Sequence, residues 1–110
     1  MSNCAVVLDV REDWEWDRGH ISCAKRLQVQ KKPLNWESDL LKLANNSKAT
    51  PIVFYCERGV RAEKAVGIIR DEGYTSVTNG GGYEPQKFEL EAVCAACRGF
   101  AAGGGGEGGN

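Results

Sequence analysis

The sequence predicts an α/β domain with a small, mostly parallel sheet covered by helices on both faces. Three observations carry this. Two short runs rich in valine and isoleucine, AVVLDV at 5–10 and PIVFYC at 51–56, are long enough for buried strands and too short for helices. Segments of helical periodicity alternate with them. The chain has 110 residues, 42% hydrophobic and 26% charged, the composition of one core.

Taken in order, residues 5–10 form the first strand. Residues 11–22 carry charges, Trp14 and Trp16, close at Gly19, and read as a loop with a short helical turn near 13–17. Residues 27–29 read as a brief strand, after which Pro33 opens a new connection. In residues 38–46 (SDLLKLANN), Leu40, Leu41, Leu43 and Ala44 fall on one helical face, with Ser38 as N-cap. The second buried strand follows Pro51. Residues 61–72 then place Ala62, Ala65, Val66, Ile68 and Ile69 at helical spacing and stop at Gly73. Residues 76–78 read as a third short strand, 79–82 (NGGG) as a loop, and Pro85 as the start of a last helix. From Phe100 onward, FAAGGGGEGGN buries too little apolar area to offset chain entropy. The expected organisation is one domain over 1–99 and a disordered glycine-rich tail over 100–110.

A formal net charge of −1, with the basic residues spread along the chain, argues against nucleic acid or an anionic membrane as partner. No leader pattern and no run of about 18 apolar residues occur, so the expected location is the cytoplasm. Five cysteines are an odd number without framework spacing and are read as thiols. Cys94 and Cys97 share a helical face and read as small packing residues, a redox pair being the alternative. With His20 the only histidine and a single CxxC, no four-ligand zinc site is expected. No metal and no cofactor are implied.

Cys56 is the chemical focus. It ends a central strand, where ligands of parallel sheets bind, and is followed by Glu57, Arg58, Gly59, Val60 and Arg61 before a helix. Backbone N–H groups and the positive end of the helix dipole favour a thiolate there, and Gly59 lets the backbone curl around one anion. Arg58 and Arg61 add full charges if their side chains turn inward. The plain structural reading of Cys56 is an inert sulfur at a strand end; glycine and two arginines in the next five positions argue against it.

At this point the chain resembles the rhodanese-like domains over about residues 5–92. LDVREDWEWDRGHISCA is similar to their first motif, CERGVRA to their active loop, and GYTSVTNGGGYE to their glycine-rich turn. The resemblance implies a rhodanese-like three-layer fold. It also implies a sulfurtransferase whose Cys56 takes a sulfane sulfur from thiosulfate or a persulfide and passes it to cyanide or a thiol. Glu57, Arg58, Gly59, Val60 and Arg61 would cradle the donor through the loop backbone. Asp9, Arg11, Glu15 and His20 match the first motif and are assigned to structural support, His20 being a packing group rather than a general base. The expected partners are a small-molecule donor and acceptor, or a protein thiol; oligomeric state is not legible.

Four residues separate Cys56 from Arg61, whereas related phosphatases and arsenate reductases have five. The shorter loop suits a single soft sulfur better than a phosphoryl group. A phosphatase relative and a non-catalytic sulfur carrier or binding module remain the alternatives. Three departures stand out. Only eight residues precede Asp9, where family members have a further strand and helix; Cys23 replaces a common glycine; and Glu57 follows the nucleophile directly. Unless Glu57 points outward it opposes a thiolate and repels thiosulfate, which favours a protein persulfide as donor.

Overall fold

The computed structural model describes residues 4–27 and 36–103, with side chains up to residue 96. Four parallel strands form one sheet: β1 (Val6–Asp9), β2 (Lys25–Arg26), β3 (Ile52–Cys56) and β4 (Val77–Gly82), in the order β2-β1-β3-β4. Between them run α1 (Asp13–Arg18), α2 (Trp36–Leu43) and α3 (Val60–Asp71), and α4 (Lys87–Gly103) follows β4.

Side-chain alternation along the two central strands builds two cores. Leu8, Phe54 and Cys56 face one side and pack with Leu40 of α2 and with Ala62, Ala65, Val66 and Ile69 of α3. Val7 and Tyr55 face the other and pack with Ile21, Tyr83, and Leu90 and Cys94 of α4. Helices therefore cover both faces, as the alternating apolar runs predict. No described helix is long and apolar enough to cross a membrane.

Differences from the sequence reading have local causes. The strand placed at 27–29 is Lys25–Arg26, pairing with Leu8 and Asp9; Leu27 N still donates to Asp9 O at 3.0 Å, and residues 28 and 29 lie outside the described residues. The helix placed at 38–46 starts at Trp36, so Ser38 is inside it rather than its cap, and it ends before Asn45 and Asn46, whose φ angles are 57° and 61°. Residues 79–82, read as a loop, belong to β4: pairing with β3 carries the strand through Gly82, overriding the poor strand propensity of glycine. The last helix continues past Phe100 to Gly103, and residues 104–110 lie outside the described residues.

The cysteine reading is corrected most. Cys23 and Cys94 form a disulfide with Cα atoms 5.7 Å apart across a sequence separation of 71, and Cys4 is also disulfide-bonded. Docking of α4, which carries the buried Cys94, against the turn that carries the partly buried Cys23 brings the two sulfurs together, which no spacing rule reveals. Beside the bond, Ser22 N and Oγ donate to the Glu91 carboxylate at 2.8 and 2.6 Å, so the turn after α1 is fastened to α4 twice. The side chain of Cys97 lies outside the described residues.

Candidate active site

Cys56 ends β3 facing α3, with 1% of its surface exposed. Pairing with β4 shifts register between Phe54 and Cys56, and the chain turns at once into α3. Gly59 makes the turn, with a φ of 90° that side-chain-bearing residues rarely adopt. As a result Gly59 N and Ala62 N both point at Cys56 Sγ, at 3.0 and 3.3 Å. Two amide donors and the start of a twelve-residue helix thus act on one sulfur, an arrangement suited to a sulfur that carries negative charge.

The glycine run of β4 makes room for the loop. A Cβ on Gly82 would fall 2.5 Å from Glu57 O and 3.1 Å from Arg58 Cα, so nothing larger than glycine fits without moving the loop. Asn79, in the same strand, donates from Nδ2 to Gly59 O at 3.0 Å, and Tyr83 N donates to Cys56 O at 2.8 Å. Asn79 is the site residue that sequence reasoning missed. Its signal was a polar side chain just before three glycines, hidden by reading the segment as loop.

The loop charges are distributed unlike the simple expectation. Arg61 turns to Glu15, with Nη1 and Nη2 donating to the two carboxylate oxygens at 2.9 and 3.0 Å. Those bonds are the main reason its affinity for the proton is raised, the charge of Cys56 contributing less. Glu57 leans on Arg11, accepting from Nη1 at 3.1 Å while 42% of its side chain stays exposed, so its charge is met by a cation rather than directed outward unpaired. Arg58 is exposed and joins no ion pair among the described residues. Val60 is 63% exposed, at the start of α3.

Asp9 and Arg11 form a buried post beneath the loop. Arg11 donates from Nε and Nη2 to Asp9 and from Nη2 to Gly19 O at 2.6 Å, and its guanidinium lies 4.5 Å from the Tyr83 ring centre. Burial works against its charge, but the Asp9 bonds outweigh that and hold it protonated. Tyr55 O–H donates to Asp9 at 2.8 Å and accepts from Ile21 N at 3.0 Å. His20 stands apart, stacked on Trp16 at 3.5 Å with Nδ1 3.0 Å from Trp16 O. Beside the loop, a cavity of about 190 Å³ is lined by Arg11, Trp14, Arg18, Glu57, Tyr83 and Glu84 among others; Cys56 is not in its wall.

A profile of the rhodanese-like domain matches residues 1–85. The chain belongs to the rhodanese-like domain family. Among solved structures, a rhodanese with anions from E. coli covers 71% of this chain and is itself covered to 86%, at TM-score 0.60 and 23% identity. A rhodanese-like domain from Anabaena aligns at TM-score 0.58 and 25% identity, over 77% of this chain and 92% of its own. Curated relatives include proteins named tRNA uridine(34) hydroxylase from Aster yellows witches'-broom phytoplasma and Bacillus pumilus. Each is 35% identical, over 74 and 75 residues, or 66% of this rhodanese-like chain. The alignment spans only 23% and 22% of those two relatives.

Proposed function

We propose that this rhodanese-like domain is a sulfurtransferase that carries a sulfane sulfur on Cys56. The observation that carries the reading is the pair of amide N–H groups on Cys56 Sγ, the free thiol among the described residues. In the first step the Cys56 thiolate attacks the outer sulfur of the donor. The Sγ–S bond forms, the donor sulfur–sulfur bond breaks, and sulfite leaves from thiosulfate, or a thiolate from a persulfide. In the second step cyanide or a thiolate attacks the outer sulfur, and Cys56 leaves as thiolate. Neither step has a net oxidant or reductant, and neither needs a general base, which agrees with His20 lying on Trp16.

Thiosulfate is compatible with the site, because Glu57 is paired with Arg11 and Arg58 is an exposed cation that joins no ion pair among the described residues. The test is intact mass after incubation with thiosulfate. One added sulfur, removed by cyanide and absent in Cys56→Ser, is expected; no added sulfur on the wild-type protein from thiosulfate or from glutathione persulfide refutes the reading.

The named relatives support a second reading, in which the domain serves a larger tRNA-directed enzyme and Cys56 acts within it. A net charge of −1 leaves tRNA contacts to other parts of such a protein. Turnover of thiosulfate with cyanide by the isolated chain separates the two: the first reading expects it, and this one expects none without the remaining parts. Cytoplasmic placement stands against the Cys23–Cys94 bond, since disulfides persist chiefly in oxidising compartments. Alkylating cells before lysis and counting labelled thiols decides whether the bond exists in place.

A further inference from the structure

We propose that Glu57 is a positioning residue for the active loop and works through Arg11. The inference rests on Cys56 being the reacting thiol. A carboxylate next to a nucleophilic sulfur is unfavourable by charge alone, so its presence calls for a compensating role. The geometry supplies one.

Arg11 is a fixed anchor, with a side chain 2% exposed and its guanidinium held by Asp9 and Gly19 O. Asp9 is itself held by Tyr55 from the centre of the sheet. A continuous path of hydrogen bonds therefore runs Tyr55, Asp9, Arg11, Glu57, from the core to the first residue after the thiol. On its other side the Glu57 carbonyl rests against Gly82, where even a methyl group would meet it at 2.5 Å. Held at both side chain and backbone, Glu57 leaves only Arg58 and Gly59 to complete the turn into α3.

Gly59 is the most conformationally free residue of that turn, and its N–H is the nearer of the two donors to sulfur. Without the Glu57 anchor the turn rotates about Gly59 and this N–H leaves Sγ. With it, the donor is aimed before any substrate arrives. Arg11, assigned from the first motif to general support, thereby acquires a specific task.

The test compares Glu57→Gln, Glu57→Ala and Glu57→Asp. Glutamine keeps an acceptor for Arg11 and loses the charge; alanine loses both; aspartate keeps the charge but is one methylene too short. Two measurements are made: amide hydrogen exchange at Gly59 and Ala62, and the pH profile of Cys56 alkylation by neutral iodoacetamide. Alanine and aspartate should speed Gly59 exchange by about tenfold, the loss of one part-buried hydrogen bond, while glutamine keeps the wild-type exchange; aspartate, which keeps the charge, should move the alkylation profile to higher pH, and glutamine, which removes it, should not. If glutamine behaves like alanine, charge and not anchoring is responsible, and the proposal is overturned. Wild-type exchange in alanine and aspartate alike also overturns it. Should the alanine variant not fold, aspartate carries the comparison. Both readouts are independent of sulfur transfer, so failure of thiosulfate and glutathione persulfide to load the wild-type protein removes the proposed activity without altering this result.

Discussion

Arg61 and Glu15 meet in two parallel hydrogen bonds of 2.9 and 3.0 Å, tying the first turn of α3 to α1 across the edge of the sheet. Glu15 Oε1 also accepts from Glu12 N at 2.9 Å, closing the N-terminus of α1. One carboxylate therefore serves a helix cap and an interhelical strut. Because Glu15 is only 7% exposed, Arg61→Ala leaves a buried carboxylate short of partners and should cost about 2 kcal/mol in urea unfolding. A double-mutant cycle with Glu15→Gln should return a coupling of similar size; additive effects would show that the pair contributes nothing.

The same carboxylate gives the acid limb of stability. The Arg61 bonds hold Glu15 below the usual carboxylate range. A depressed folded value means that its contribution is complete above the unfolded value, about 4.3, and is lost as pH falls through the folded one. Unfolding midpoints of Glu15→Gln should consequently fall less steeply below about pH 4.3 than those of the wild type.

Tyr55 governs the opposite limb. Burial raises it above the ordinary phenol range, so its contribution is complete below the unfolded value near 10 and is lost as pH rises beyond it. In Tyr55→Phe, Asp9 loses a donor and Ile21 N its acceptor, with an expected cost of about 1–3 kcal/mol at neutral pH. Stability curves measured above pH 10 should flatten relative to wild type.

Replacing Gly82 by alanine should impair sulfur loading of Cys56 more than it impairs folding. The added methyl meets the Glu57 carbonyl and the Arg58 Cα, and the loop can yield where the sheet cannot. An expected destabilisation of about 1–3 kcal/mol accompanies a large drop in the loading rate, read by intact mass. Unchanged loading would mean that the loop tolerates displacement.

Removing the Cys23–Cys94 bond in a Cys23→Ala, Cys94→Ala variant should lower stability by about 2–4 kcal/mol in urea, since the bond closes a separation of 71 residues. Cys56 is untouched by the change, so thiosulfate loading under stabilising conditions should persist. Loss of loading at full stability would assign the bond a role in the site itself.

The position of Cys56 was legible because a short, almost continuously buried apolar strand ending in Cys, followed at once by a helix, leaves few geometries. The partners of its neighbours were not. Glu57 and Arg11 lie 46 residues apart, as do Arg61 and Glu15, and only the parallel pairing of β1 with β3 brings them together. For the same reason Arg61 reads as a donor-binding cation in sequence and is engaged with Glu15 in space. Cys23 and Cys94, assigned separately as a glycine replacement and a packing residue, needed the docking of α4 to become one bond.

The two outer strands also bear on how the protein behaves in concentrated solution. Edges of open sheets template the addition of further chains when they are long, regular and apolar. Here one edge is Lys25–Arg26, two exposed cationic residues, and the other is VTNGGG, whose Gly81 at φ 93° breaks the regular extended backbone. Neither offers a run that a second molecule could extend in register. The glycines that admit the active loop thus also protect the domain from stacking edge to edge into aggregates, and substitutions there that restore a regular apolar strand should reduce solubility together with sulfur loading.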